Sequence, residues 1–243
     1  MGSTMIKQDL IIVAAREGSK GLVAKNKLPF DGVPLYLRTL SQALRISKNV
    51  IFSTDDKEML EGCSDLRNLV LIDRPKHLSQ ANSPKLPVLR HALEFYSREY
   101  NLKPDLIIDL QTTSPLRLDS EILGAYEALK NRYEYQNLVS ITKSIYHPSY
   151  NLVSIDAENK ASLLETKKTI TGREMLSNNY YLNGSIFIWR NSEIIKNKNG
   201  LIREMTLGYE TSDITSKDID SELDFITSES IFKSSFYKNF ISS

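Results

Sequence analysis

One cysteine, one tryptophan and three histidines in 243 residues leave little material for several kinds of chemistry. A lone Cys63 cannot build an intrachain disulfide framework and points to a reducing compartment. His77, His91 and His147 stand at no metal-ligand spacing and read as structural residues. No Ser–His–Asp or Cys–His arrangement can be argued, so a nucleophilic triad is not expected. Apolar runs are short, and none approaches the length of a membrane-spanning helix. Charge of one sign is also missing, with 31 basic residues against 30 acidic ones. Such a chain carries no global field for nucleic acid or a membrane surface, so any affinity for anions has to be local. The opening Met1-Gly2-Ser3-Thr4-Met5 reads as an added leader with Met5 as the natural start; no signal peptide follows, and the expected location is the cytoplasm.

What is present is an ordinary globular composition, 41% hydrophobic and 25% charged, over a length suited to one large domain, here residues 5–243. The continuous apolar run at residues 10–15 reads as a strand buried on both faces, residues 105–110 as a further buried strand, and residues 50–53, 69–72 and 138–141 as strands. Between them, residues 34–47, 86–100 and 120–131 carry apolar side chains at helical spacing, and Asp55-Asp56 is placed to cap a helix from Lys57. This alternation predicts an α/β fold with a mainly parallel, Rossmann-like sheet flanked by helices. Ligands in such sheets bind beyond the carboxyl ends of the strands. Further on, residues 150–155 and 161–164 flank a hairpin turn, residues 185–189 read as a strand, and a small insertion is expected at 142–182.

The segment after the first strand, residues 16–27, holds four basic residues and one acid. Gly18 and Gly21 permit tight turning and close approach of backbone to a ligand. Exposed N–H groups there, with Arg16, Lys20 and Lys25, suit a polyphosphate, although the spacing is neither a Walker loop nor a dinucleotide fingerprint. Near the other end, Asp218-Ile219-Asp220 on an extended segment would present two carboxylates to one side, with Ile219 facing the other way. Two adjacent carboxylates repel unless a cation lies between them. Mg²⁺ accepts one or two carboxylates completed by water and phosphate oxygens. The alternative makes these acids helix caps, extended by Glu222 and Asp224.

The loop R-x-G-S-K-G-L-x-x-K-N at residues 16–26 resembles the opening motif of the acylneuraminate cytidylyltransferases, or CMP-sialic acid synthetases. The likeness continues in order through Ser53-Thr54-Asp55, Arg74-Pro75, residues 110–117 (LQTTSPLR), residues 183–188 (NGSIFI) and residues 218–224 (DIDSELD). Residues 85–90 (KLPVLR) are more similar to the CMP-legionaminic acid synthetase branch than to the sialic acid branch. Two departures stand out. Thr112 replaces a proline, and no acid lies between Arg74-Pro75 and the next helix, where Asn82 is the nearest substitute.

The resemblance implies a nucleotide-diphospho-sugar-transferase fold and transfer of CMP from CTP to the anomeric hydroxyl of a nonulosonic acid. It implies catalytic roles for Arg16, Lys20, Lys25, Asp218 and Asp220. CTP contacts are implied for Arg16, Gly18, Ser19, Lys20, Lys25, Asn26, Arg74 and Gln111, and sugar contacts for Gln111, Arg173, Asn183 and Phe187. Asp218 and Asp220 would hold Mg²⁺ or Mn²⁺. The insertion would help form a homodimer. Phe187 has an equal reading as a core aromatic, Arg74 one as a surface arginine, and Ser114 and Arg117 stand evenly between site and capping loop. Tyr180 and Tyr181 would line the sugar pocket or merely pack. The rival readings are transfer to Kdo or an amino-Kdo analogue, and a regulatory nucleotide-binding protein without catalysis.

Overall fold

The continuous apolar runs become the parallel heart of one sheet in the computed structural model, which describes residues 5–18, 21–80, 82–166, 179–196 and 200–242. The first strand, β1 (Leu10–Ala14), sends Ile11 and Val13 to one face and Leu10 and Ile12 to the other. The chain then passes the basic loop, a hairpin of β2 (Pro29–Phe30) and β3 (Val33–Pro34), and helix α1 (Leu35–Ile46). Next come β4 (Val50–Thr54), α2 (Lys57–Glu61) and β5 (Leu69–Asp73). The carboxylate of Asp56 accepts the Met59 N–H at 3.1 Å and so caps α2. Helix α3 (Lys85–Tyr100) carries Pro87 in its first turn, where a missing N–H breaks no helical bond. It leads into β6 (Leu106–Leu110), α4 (Asp119–Lys130) and β7 (Asn137–Lys143).

The second half contains the hairpin β8 (Val153–Ile155) and β9 (Ala161–Leu163), then β10 (Tyr180–Arg190), α5 (Asn191–Ile195), β11 (Thr206–Glu210), α6 (Glu222–Lys233) and α7 (Ser235–Ser242). The main sheet runs in the order β11-β7-β10-β6-β1-β4-β5. Only β10 is antiparallel to its neighbours. Strand order reverses at β1, with β4 on one side and β6 on the other, which opens a crevice at their carboxyl ends.

Helices α1 and α4 cover one face through Leu40, Ala43, Ile122 and Leu129, and α3 covers the other through Leu89, Ala92 and Leu93. Each fully buried aliphatic side chain contributes about 1.5–3 kcal/mol. A third cluster joins Phe30, Leu35 and Leu116 to Ile219 and Tyr237, so α6 and α7 pack over the β2–β3 hairpin. Among the described residues no helix is long and apolar enough to cross a membrane.

The second half departs from the sequence reading in its boundaries. Residues 180–182 pair with 141–143 as an extension of the central sheet, so both ends of the expected 142–182 insertion belong to β7 and β10. Among the described residues, 144–166 and 179 lie outside the central sheet. Between Leu182 and Phe187 the register shifts, and Gly184 has φ of +74°. This irregularity breaks the strand pattern in sequence and explains why only its distal half was legible.

Candidate active site

The crevice holds a cavity of about 370 Å³. Its walls come from the loop after β1, the crossover between β5 and α3, the end of β6 and the segment before α6.

The basic loop is fastened from both ends. Asn26, buried, donates its amide to the Arg16 carbonyl at 3.1 Å, and its Oδ1 accepts the Thr112 hydroxyl at 2.6 Å. Thr112 therefore supplies a donor that a proline could not. Lys25 Nζ lies 2.7 Å from Asp220 Oδ1 and donates to the Ile219 carbonyl at 2.8 Å. Gly21 needs its missing side chain, because a Cβ there would collide with the Asp220 carbonyl. Neither Gly18 nor Gly21 uses a positive φ, so close approach rather than tight turning accounts for Gly21. Lys27 is turned away to Glu58 at 2.6 Å and Asp56 at 3.0 Å, and Glu58 above all raises its pKa.

Arg74 is buried and already engaged. It donates to the Ala15 carbonyl at 2.7 Å, to Asp55 at 3.2 Å and to the Ser79 hydroxyl at 3.0 Å, while Asp55 also accepts the Glu17 N–H at 3.1 Å. Burial lowers its pKa and Asp55 opposes that shift. Ser53-Thr54-Asp55 and Arg74-Pro75 thus brace the cavity between β1, β4 and β5.

The acidic segment is held by Ile219, fully buried in the third cluster, whose N–H donates to the Thr113 carbonyl at 2.9 Å. Asp218 and Asp220 both line the cavity. Desolvation raises the pKa of Asp218, and Asp220 raises it further against the Thr113 hydroxyl and Lys25. Capping of α6 is done by other residues: the Ser221 hydroxyl accepts the Asp224 N–H at 3.2 Å, and Asp224 accepts the N–H groups of Ser221 at 2.8 Å and Asp220 at 3.2 Å. The carboxylates of Asp218 and Asp220 are left facing the cavity. Among the described residues no three His, Cys, Asp or Glu side chains cluster as a metal site. The pair, with Asp220 ion-paired to Lys25 at 2.7 Å, offers the carboxylate oxygens that a hard cation would take.

Not every expected residue reaches the cavity. Gln111 does, donating its amide to Asp109 at 3.2 Å. Gly18 is exposed on the loop. Asn183 is buried, and its side chain bonds Ser140, the Ser185 N–H, Thr142 at 2.8 Å and Thr211 at 2.7 Å. It replaces ladder bonds lost at the β10 irregularity and has no capacity left for a sugar. Phe187 lies in the core. Tyr180 and Tyr181 are exposed on the outer half of β10. Arg117, buried, bonds the carbonyls of Gln111 at 3.0 Å and Ser185 at 2.8 Å and clamps the loop from below; burial pushes its pKa down to about 10. Ser114 is buried away from this cavity. Ser19, Lys20 and Arg173 lie outside the described residues.

Two cavity residues were missed in sequence, Lys85 and Asp109, which form an ion pair at 2.7 Å. The available signals were an acid inside the apolar run LIIDL and the place of Lys85 at the head of the motif KLPVLR.

A family model described as Cytidylyltransferase matches residues 10–206. The chain is 27% identical over 227 residues to post-translational flagellin modification protein B of Campylobacter coli, covering 92% of this chain and 94% of that protein. It is 29% identical over 218 residues to CMP-N,N'-diacetyllegionaminic acid synthase of Campylobacter jejuni, covering 89% and 91%. It is also 29% identical over 221 residues to N-acylneuraminate cytidylyltransferase of Streptococcus agalactiae, covering 89% of this chain but 51% of that longer protein. Among solved structures, CMP:2-keto-3-deoxy-manno-octonic acid synthetase complexed with CTP superposes with a TM-score of 0.67 at 15% identity, covering 93% of this chain and 98% of the other, a likeness of fold.

Proposed function

We propose, given that the chain belongs to the cytidylyltransferase family, that it transfers CMP from CTP to a nonulosonic acid of the legionaminic or sialic type and releases pyrophosphate. The observation that carries this reading is the meeting of basic loop and acidic pair across one crevice, with Lys25 touching Asp220. A regulatory protein that had given up catalysis would not need both. The named relatives, CMP-legionaminic acid synthase and N-acylneuraminate cytidylyltransferase, support the choice of acid.

The anomeric hydroxyl oxygen of the acid attacks the α-phosphorus of CTP and gives up its proton to water, and the bond from that phosphorus to the bridging oxygen of pyrophosphate breaks. Positioning and neutralisation of charge dominate such a displacement. Arg16 and Lys25 offset the charge gathering on the departing pyrophosphate. Gln111 offers its amide to the acid from the floor of the cavity. Asp218 and Asp220 would hold Mg²⁺ or Mn²⁺, which when bound would supply further charge neutralisation at the phosphate oxygens.

We further infer a homodimer. Val153, Ile155, Leu163 and Leu164 on the β8–β9 hairpin, with Ile145 and Tyr146 before it, are exposed apolar residues of the kind that mark protein interfaces. The working location is the cytoplasm, where a buried Cys63 stays reduced.

The test is pyrophosphate release from CTP and Mg²⁺ with a panel of legionaminic acid, N-acetylneuraminic acid, Kdo and 8-amino-Kdo. Release with a nine-carbon acid well above the Kdo compounds is expected. Preference for Kdo would change the substrate class, and no release with any acid would overturn the reading.

A further inference from the structure

Asp109 is a fully buried carboxylate on the central strand β6, beside Ile107, Ile108 and Leu110. It is held by Lys85 Nζ at 2.7 Å and by the Gln111 amide at 3.2 Å. The Lys85 ammonium also sits 4.0 Å from the centre of the Phe187 ring, and its side chain remains 26% exposed. Lys85, Asp109 and Gln111 all line the cavity.

A buried ion pair is a poor device for stability, since apolar residues of similar volume commonly serve as well or better. Its place in the cavity wall calls for another explanation. An ammonium has three donors. One goes to Asp109, the Phe187 face supports the group by a cation–π contact, and the solvent-facing side opens on the cavity. We propose that Lys85 is a substrate-binding residue that receives a substrate oxyanion, and that Asp109 is the positioning residue that aims both Lys85 and Gln111. The inference rests on the transfer reaction proposed above and adds a contact to it. The oxyanion is a phosphate oxygen of the nucleotide or the carboxylate of the acid, and both have the same chemistry toward an ammonium.

Lys85→Met keeps the apolar stem and removes the charge; Lys85→Arg restores the charge. The readouts are KM for each substrate, kcat, CTP binding measured without acid, and Tm. Lys85→Met is expected to change one binding or rate parameter by about 10- to 100-fold, the scale of one charge-assisted hydrogen bond, with Lys85→Arg recovering part of it. A rise confined to the KM of the acid identifies the carboxylate. Weaker CTP binding without acid, or a fall in kcat, identifies a phosphate oxygen. Asp109→Asn should move the same parameter in the same direction, and if that variant does not fold the Lys85 pair decides alone. Wild-type kinetics and CTP binding in Lys85→Met, whether or not Tm falls, would overturn the inference. An inactive wild-type protein would instead overturn the parent reading, so the two failures are distinguishable.

Discussion

The ammonium of Lys25 is 2.7 Å from Asp220 and 2.8 Å from the Ile219 carbonyl, so one side chain ties the basic loop to the acidic segment. Lys25→Ala is expected to lower kcat by about 10²-fold, the usual loss when one preorganised donor is removed from a reacting oxyanion; stopped assays at saturating CTP check this, and unchanged turnover would remove Lys25 from the site. Asp218 supports a different kind of test. Its pKa is raised in the fold, so the folded protein binds that proton more tightly than the unfolded chain does. Stability therefore falls as pH rises from the ordinary carboxylate value through the raised one, by a small amount because Asp218 is an exposed residue that water screens. Asp218→Asn should lose nearly all activity yet melt higher than wild type at neutral pH without metal, with the difference shrinking in acid. A lower neutral Tm would contradict this. Asn183→Ala should cost about 2–3 kcal/mol in denaturant unfolding, because it orphans buried hydroxyl groups; a variant of wild-type stability with a raised KM for the acid would return Asn183 to the sugar pocket.

At the scale of elements, the hairpin β8–β9 carries Val153 and Ile155 on exposed backbone, and the turn between the strands is closed by Asp156, which accepts N–H groups from Glu158 at 3.1 Å and Lys160 at 2.9 Å. A hairpin so closed can present apolar side chains without a core of its own. Ile155→Glu should shift the protein from dimer to monomer in sedimentation at micromolar concentration, with little change in the Tm of the monomeric unit. Dimers of undiminished strength would place the interface elsewhere. The strands β1, β4 and β6 were legible because a strand buried on both faces is a short apolar run, and the edge strand β5, only partly covered, was legible because its run LVLI is unbroken. The edge strand β11 was not, since its residues TLGYE are only partly covered and show no clean alternation. Helix α6 was hidden for a related reason: Phe225 and Phe232 turn inward while Leu223 and Ile226 are exposed, which blurs the helical period. Its start is marked by the capping pair Ser221 and Asp224, whereas the sequence reading offers Asp218 and Asp220 as the alternative caps.

For the whole molecule, topology does what local pattern cannot. The reversal of strand order at β1 brings together residues far apart in the chain, Arg16, Asn26, Arg74, Gln111 and Asp220. The parts carried by local motifs, basic loop and paired acids, were readable. The pairing of Lys85 with Asp109 was not, because one opens a helix and the other interrupts an apolar strand, and only the crossover of α3 joins them. The account as a whole is tested most directly by following the α-phosphorus. With CTP labelled there, Mg²⁺ and a nonulosonic acid, the label should move into a CMP-sugar with one pyrophosphate released per transfer. UTP and ATP should react far more slowly, since a pocket built for one base leaves polar groups unpaired with another. Label appearing in free CMP without acid, or equal rates with UTP, would contradict the account.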